Sequence, residues 1–209
     1  MASGIDAKLA LAAATSLVFT LGLSSGAVAQ PAAAASRVTV SATVGVGVPQ
    51  DQAYREIYGR VSMPFTAQAN VRIGRGFEAF GGLRRVAQSG TAIWEGGSEA
   101  TATDEVSFSM TSLRAGAGWL YPRGAWSLWV GVGVSSDAYR ESWEGLGTET
   151  SGRRTGLVVQ AGVTRDLSRR IALVLRAEYV TGSTPPAAAG LDPVHLASFD
   201  AGGGIAIRF

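Results

Sequence analysis

The residues best suited to chemistry lie near the carboxyl end of the chain. His195 is the only histidine, and Ser198 and Asp200 follow it closely. A serine nucleophile needs a base, and the base needs an orienting carboxylate, so the three types together suggest hydrolysis. On a strand, however, positions 195 and 198 face opposite sides. We therefore interpret His195 as a solvated loop residue and predict no catalytic site.

Other kinds of site have still less support. An acidic segment carries four carboxylates, namely Glu95, Glu99, Asp104 and Glu105. It lacks the spacing of a calcium-binding loop, and the glycine-rich stretches match no phosphate-binding motif ahead of a helix. The chain has no cysteine and a net charge of only +2, without a basic stripe. We predict no metal, no cofactor and no nucleic-acid partner.

The start of the chain has the features of a secretory signal. An uncharged apolar stretch over residues 9–23 leads to the small-residue sequence AVA at 27–29, which fits a cleavage site. The stretch is short for the roughly 20 residues of a membrane-spanning helix. We predict a cleaved signal peptide over residues 1–29, a short periplasmic segment over 30–36 and one domain over 37–209.

From residue 37 onward, apolar residues alternate with polar or small ones, which predicts strands. We predict eight strands, the second over 61–73 and the third over 77–86. The connectors alternate in length: three are only a few residues long, whereas the other four, at about 50–60, 87–104, 136–153 and 182–197, are long. Short turns at one end and long loops at the other are typical of a transmembrane β-barrel.

Most of the charged residues within the predicted strands share one face. They are Arg72, Glu78, Arg84, Arg114, Arg176, Glu178 and Asp200, with Arg208 near the end. Many glycines fall on the same face, and glycine suits a crowded interior better than an exposed strand face. The opposite face carries valine, alanine and leucine. We predict an all-β, eight-stranded antiparallel transmembrane barrel whose interior charges pair and plug the lumen.

Aromatic residues on the apolar face support this orientation. Phe77, Trp119, Tyr121, Trp126 and Phe209 lie beside the short turns, and Tyr179 and Phe199 lie near the long connectors. Aromatic girdles of this kind border the lipid-facing band of membrane barrels.

Two local features depart from the pattern. Pro64 lies within the predicted second strand, where it cannot donate to a ladder. The apolar face of the fourth strand changes between Met110 and Leu113. We predict bulges near both positions, above the membrane-spanning part.

The chain resembles the small outer-membrane β-barrels of Gram-negative bacteria, the outer-membrane protein A and X class. The resemblance rests on the signal sequence, the eight alternating strands, the four long connectors and a terminal GGGIAIRF strand that ends in an aromatic residue. It covers nearly all of the chain after residue 29, although only the terminal strand is motif-like. It implies an outer-membrane location with both termini in the periplasm, and Phe209 as the signal read by the barrel-assembly machinery.

We expect a monomeric, non-catalytic surface protein whose long extracellular loops bind any ligand, and whose barrel contacts outer-membrane lipids and lipopolysaccharide. Arg85, outward near the long connectors, is a candidate contact for lipopolysaccharide phosphates. One alternative is a channel for small solutes or hydrophobic compounds. Another is a lipid A-modifying enzyme, because small barrels that deacylate lipid A use a histidine and a serine near the rim. A soluble lipocalin-like binder should instead have an apolar interior.

Overall fold

The computed structural model describes residues 37–96, 100–182 and 196–209. The predicted signal peptide, the segment 30–36 and His195 lie outside the described residues. The strands are β1 (Val38–Pro49), β2 (Phe65–Arg72), β3 (Phe77–Gly96), β4 (Ala100–Arg123), β5 (Trp126–Trp143), β6 (Thr148–Asp166), β7 (Ile171–Val180) and β8 (Ser198–Arg208). One helix, α1 (Gln52–Tyr58), follows β1. Among the described residues, no helix has the length and apolar character needed to cross a membrane.

The eight strands form a closed antiparallel barrel in chain order, as predicted. Pairing can be traced once around it, along Val38, Val71, Ala79, Ala117, Val132, Val159, Tyr179, Phe199 and Val48. The circuit returns to β1 ten residues further along, at Val48 rather than Val38. A stagger of this size tilts the strands by about 40° from the barrel axis.

The outer wall of the barrel is apolar along the part nearer the short turns, which we call the lower part. Val132 and Leu157, for example, are 63% and 61% exposed. A continuous apolar band with this exposure is unfavourable in water and favourable against the hydrocarbon of a membrane. On β4 the band runs from Tyr121 to Leu113. With a rise of about 3.3 Å per residue and a tilt of about 40°, this segment spans about 20 Å along the barrel axis. We call this band the apolar belt. Its height is close to the roughly 25 Å band of membrane barrels.

The belt ends abruptly on the side away from the short turns. On β3 to β6 the outward series changes from apolar to polar in one step, from Leu83 to Arg85, Leu113 to Thr111, Val134 to Ser136 and Leu157 to Thr155. These steps lie within about 5 Å of one another along the barrel axis. Above them several inward residues of β3 and β4 are apolar instead, including Val86, Phe108 and Met110, whereas β5 and β6 keep the inward charges Asp137 and Arg154. On β3 and β4 the two faces therefore exchange character where the wall leaves the membrane.

This exchange explains why two predicted loops are wrong. Residues 87–104 and 136–153 are mostly strand, because β3 pairs with β4 up to Gly96 and Ala100, and β5 pairs with β6 up to Trp143 and Thr148. Their outward residues are small and polar, a composition that resembles a loop. The four strands extend beyond the belt as a protruding sheet. The connector predicted at 50–60 contains α1, and most of 182–197 lies outside the described residues.

The two predicted bulges are also wrong. β2 begins at Phe65, so Pro64 precedes it, and the carbonyl of Pro64 accepts a hydrogen bond from the Gly45 amide at 3.0 Å. The β4 register stays constant through residues 110–113. Met110 faces inward with the apolar residues above the belt, so the apparent change of face is a change of environment.

Candidate functional site

The lumen is crossed by four buried charges within the level of the belt. Arg84 on β3 and Arg114 on β4 face Glu178 on β7 and Asp200 on β8, which come from the opposite wall. Arg84 Nη2 and Nε lie 2.6 and 2.7 Å from Asp200 Oδ2, and Arg114 Nη1 lies 2.6 Å from Glu178 Oε2. We call these residues the charge quartet. It has no net charge and links the two walls.

Neighbouring polar groups hold the charge quartet in place. Arg84 Nε also lies 3.7 Å from Glu178 Oε1, and its Nη2 donates to the Ser198 hydroxyl at 3.4 Å. Gln160 donates to Glu178 Oε2 at 3.4 Å. Each quartet residue is at most 4% exposed. Because a buried charge is tolerated only with partners, the four residues depend on one another.

Two aromatic rings fill the lumen below the charge quartet. Phe80 and Trp129 are buried and meet edge to face, with their ring centroids 5.4 Å apart. A Cβ atom at Gly116 would lie 2.6 Å from Phe80, and one at Gly118 would lie 2.8 Å from Trp129. Glycine at these two inward positions therefore makes room for the rings.

The other predicted interior charges lie nearer the short turns. Arg72 pairs with Glu78 at 3.5 Å, and Asn70 donates to the same carboxylate at 3.2 Å. Arg176 has no ion-pair partner among the described residues and donates to the Ser41 hydroxyl at 3.1 Å. The expectation that all of these charges pair is wrong for Arg176.

A second closure lies above the belt. Tyr54 and Tyr58 of α1 pack on Phe108 of β4, with ring centroids 5.1 and 5.5 Å from it. Ala92, Val106, Met110 and Leu196 complete a buried group that we call the upper cluster. Beneath it, Arg154 Nε lies 2.9 Å from the buried carboxylate of Asp137.

Hydrogen bonds fix both tyrosines of the upper cluster. Tyr58 donates to Glu141 at 2.6 Å, and Tyr54 donates to Gln88. Burial raises the pKa of Tyr54, and burial together with Glu141 raises the pKa of Tyr58. Both phenols therefore stay neutral donors at any physiological pH.

Sequence reasoning missed α1 and the upper cluster, although a signal was present. Asp51 caps the helix by accepting from the Tyr54 amide at 2.9 Å. Tyr54, Ile57 and Tyr58 then follow at helical spacing. The helix has only seven residues, too short to stand out against the strand pattern.

No protein-family model matches the chain, and no curated protein matches it in sequence. Neisserial surface protein A (NspA) superposes with a TM-score of 0.60 at 14% identity, covering 83% of this chain and 98% of that one. The outer membrane protein OprG from Pseudomonas aeruginosa gives a TM-score of 0.54 at 12% identity, covering 84% of this chain and 96% of that one. The fold is that of a small outer-membrane β-barrel.

The last residue of the chain, Phe209, lies where β8 pairs with β1 and closes the barrel. The Phe209 amide donates to the Val38 carbonyl at 2.9 Å, and the ring is 70% exposed on the outer wall. Phe77, Trp119 and Tyr121 are exposed at the same end, whereas Trp126 is half-buried beneath Arg165, whose guanidinium carbon lies 5.2 Å from the ring centroid. These aromatic side chains border the belt on the short-turn side.

Three of the residues considered for catalysis and metal binding, Ser198, Asp200 and Asp104, have structural partners. Glu99, like His195, lies outside the described residues. Ser198 and Asp200 both accept hydrogen bonds from Arg84, so they belong to the charge quartet and its support. Asp104 accepts from the amides of Gly145 and Leu146 at 2.6 and 3.2 Å, which fixes the β5–β6 turn. Within the described residues, no group of three or more metal-ligating side chains occurs.

The protruding sheet carries a shallow groove on its outer face. The groove has a volume of about 380 Å³ and lies between Arg140 and Arg153 over small residues such as Ser109 and Ser151. Arg140 pairs with Glu149 at 3.0 Å, but both side chains are exposed, so the pair adds little stability. Two basic side chains are thus presented to solvent about 10–15 Å above the belt.

Proposed function

We propose that this barrel is an integral, non-catalytic protein of the Gram-negative outer membrane that acts through its protruding sheet on the cell surface. The observation that carries the proposal is the double closure of the lumen, by the charge quartet and by the upper cluster. Because the lumen is closed at two levels, solutes do not pass through it, and the protein acts through contacts made by its outer surface. A structurally similar Neisserial protein is named a surface protein.

The proposed orientation puts the protruding sheet outside and the short turns in the periplasm. Because the chain has no native cysteine, single cysteines report on this directly. A membrane-impermeant maleimide should label Ser151→Cys on intact cells, and Arg169→Cys only after the outer membrane is permeabilised. The reverse pattern would contradict the orientation.

The proposed binding surface includes two exposed apolar side chains beyond the belt. Ile93 on β3 is 70% exposed, and Leu146 in the β5–β6 turn is 52% exposed. We expect Ile93→Ser with Leu146→Ser to lower the adhesion of expressing cells to host-cell surfaces several-fold. The matched control is Leu167→Ser, which removes an apolar side chain 57% exposed at the opposite end. Equal adhesion of expressing and non-expressing cells would refute a surface-binding role.

The proposed lipid partner is lipopolysaccharide, whose phosphates lie where the belt meets water. Arg85 is the first outward residue above the belt on β3, and Arg153 is exposed higher on β6. We expect Arg85→Glu with Arg153→Glu to lose stability in lipopolysaccharide-containing vesicles relative to phospholipid vesicles. Arg169→Glu, in the β6–β7 turn at the other end, should behave as wild type in both.

The proposed assembly signal is Phe209, read by the barrel-assembly machinery. We expect Phe209→Ala to lower the amount of folded barrel in cells while leaving refolding in detergent nearly unchanged. Phe77→Ala removes another exposed aromatic residue at the same end and should not reduce assembly in cells. An equal loss in both variants would assign the effect to the girdle.

A further inference from the structure

A small cavity opens below the charge quartet on the short-turn side. Its volume is about 60 Å³, and its lining includes Ser41, Arg72, Glu78, Trp129, Arg176 and Arg208. The charge quartet and the Phe80–Trp129 pair lie above it, so the cavity is a blind vestibule. At about 10–15 Å³ for each water, it holds about four to six waters or one small ion.

The vestibule holds more positive charge than negative charge. Arg208 pairs with Asp166 at 2.6 Å, and Arg72 shares Glu78 with Asn70. Arg176 is left without a carboxylate partner in the described part of the chain. Glu178 attracts Arg176 from the same strand, but it already pairs with Arg114 at 2.6 Å and with Arg84 at 3.7 Å.

Hydrogen-bond donors in the vestibule also lack partners. Three buried N–H groups have none among the described residues, namely Nη1 of Arg176, Nε of Arg72 and Nε1 of Trp129. All three residues line the same cavity, where Gln68 Oε1 and the Thr164 hydroxyl are the other buried unpartnered polar atoms. Unpaired N–H donors in a low-dielectric enclosure are costly, and an anion would satisfy several of them at once.

We propose that the vestibule binds one small oxyanion, such as phosphate, sulfate or a short carboxylate, from the compartment at the short turns. Arg176 and Arg72 supply charge-assisted hydrogen bonds, and the Trp129 indole supplies a neutral donor. Ser41 accepts from Arg176 and itself donates to the Gln68 carbonyl at 3.3 Å, so it positions the guanidinium. The cavity volume admits a single oxyanion group and excludes a sugar phosphate.

The test is anion binding by the purified protein in detergent, at constant ionic strength set with chloride. We expect phosphate and sulfate to raise the melting temperature saturably, to compete with each other, and to bind with 1:1 stoichiometry in calorimetry. Glucose 6-phosphate should not compete. Arg176→Met should weaken phosphate binding at least tenfold, and Arg72→Met should weaken it less because Glu78 already shares that charge.

Arg165→Met is the matched control, because it removes an exposed arginine near the same end outside the vestibule. If Arg176→Met does not fold, Arg72→Met and the competition experiment still decide. The proposal is overturned if the wild type binds no phosphate saturably. Equal weakening by Arg165→Met and Arg176→Met would also overturn it, since the binding would then be to the general surface charge.

Discussion

Removing Arg84 tests the charge quartet most sharply. Its guanidinium is 2% exposed and lies 2.6 Å from Asp200 and 3.7 Å from Glu178. For charge centres about 4 Å apart and an effective dielectric of about 20, Coulomb's law gives about 4 kcal/mol. Breaking a buried pair by removing one partner costs about 3–5 kcal/mol, because the other charge is left uncompensated. We therefore expect Arg84→Met to lower the free energy of unfolding by about 3–5 kcal/mol.

The assay is reversible urea unfolding in lipid vesicles, followed by tryptophan fluorescence. Arg169→Met, an exposed control in the β6–β7 turn, should change the free energy of unfolding by less than about 0.5 kcal/mol. Arg84→Met with Asp200→Leu removes both charges, so we expect it to recover most of the loss. A loss below about 1 kcal/mol for Arg84→Met, or no recovery in the double variant, would refute the reasoning.

Three further predictions concern the lumen and the upper cluster. Gly116→Ala should lose about 1–3 kcal/mol in the same assay, because its Cβ would meet the Val132 carbonyl oxygen of the neighbouring strand as well as Phe80. Gly81→Ala, whose nearest neighbour is at 3.8 Å, should be nearly neutral, and equal effects would contradict the packing. Burial raises the pKa of Tyr54 and Tyr58 above the ordinary value of 10.0. These groups should therefore leave the stability unchanged below about pH 10 and lower it above that pH, because the tyrosines of the unfolded chain ionise first. Tyrosinate absorbance should show two late-titrating groups that vanish in the double phenylalanine variant. Planar-bilayer recordings should show no steady single-channel steps, either for the wild type or for a variant with the charge quartet replaced by alanine, because the upper cluster closes the lumen independently.

The barrel itself was predictable because the membrane imposes one rule on every strand. Within the belt, outward residues such as Val132 must be apolar, while charges such as Arg84 must face inward, so a period of two reveals both the strands and their faces. The number and order of strands follow from this rule and from the alternating connector lengths. The structure has both as predicted.

The protruding sheet was not predictable by the same rule, because the rule reverses above the belt. At the inward positions of β4, Arg114 within the belt is followed by apolar Met110 above it. At the outward positions, apolar Leu113 is followed by polar Thr111. The ion-pair partners were also beyond reach, since Arg84 and Asp200 are 116 positions apart in the chain. Only the closed register brings the β3 and β8 walls face to face across the lumen.

Spin-label accessibility on the neighbouring strands β4 and β5 tests the central claim most directly. Cysteine can be placed singly at Val132 and Leu113 within the belt, and at Thr111 one step above it, in a chain with no native cysteine. In lipid vesicles, labels at Val132 and Leu113 should be relaxed by oxygen and protected from a water-soluble nickel complex. The label at Thr111 should show the opposite preference. Access of the nickel complex to Val132, or protection of Thr111 equal to that of Leu113, would contradict a wall that faces hydrocarbon and leaves the membrane at this residue.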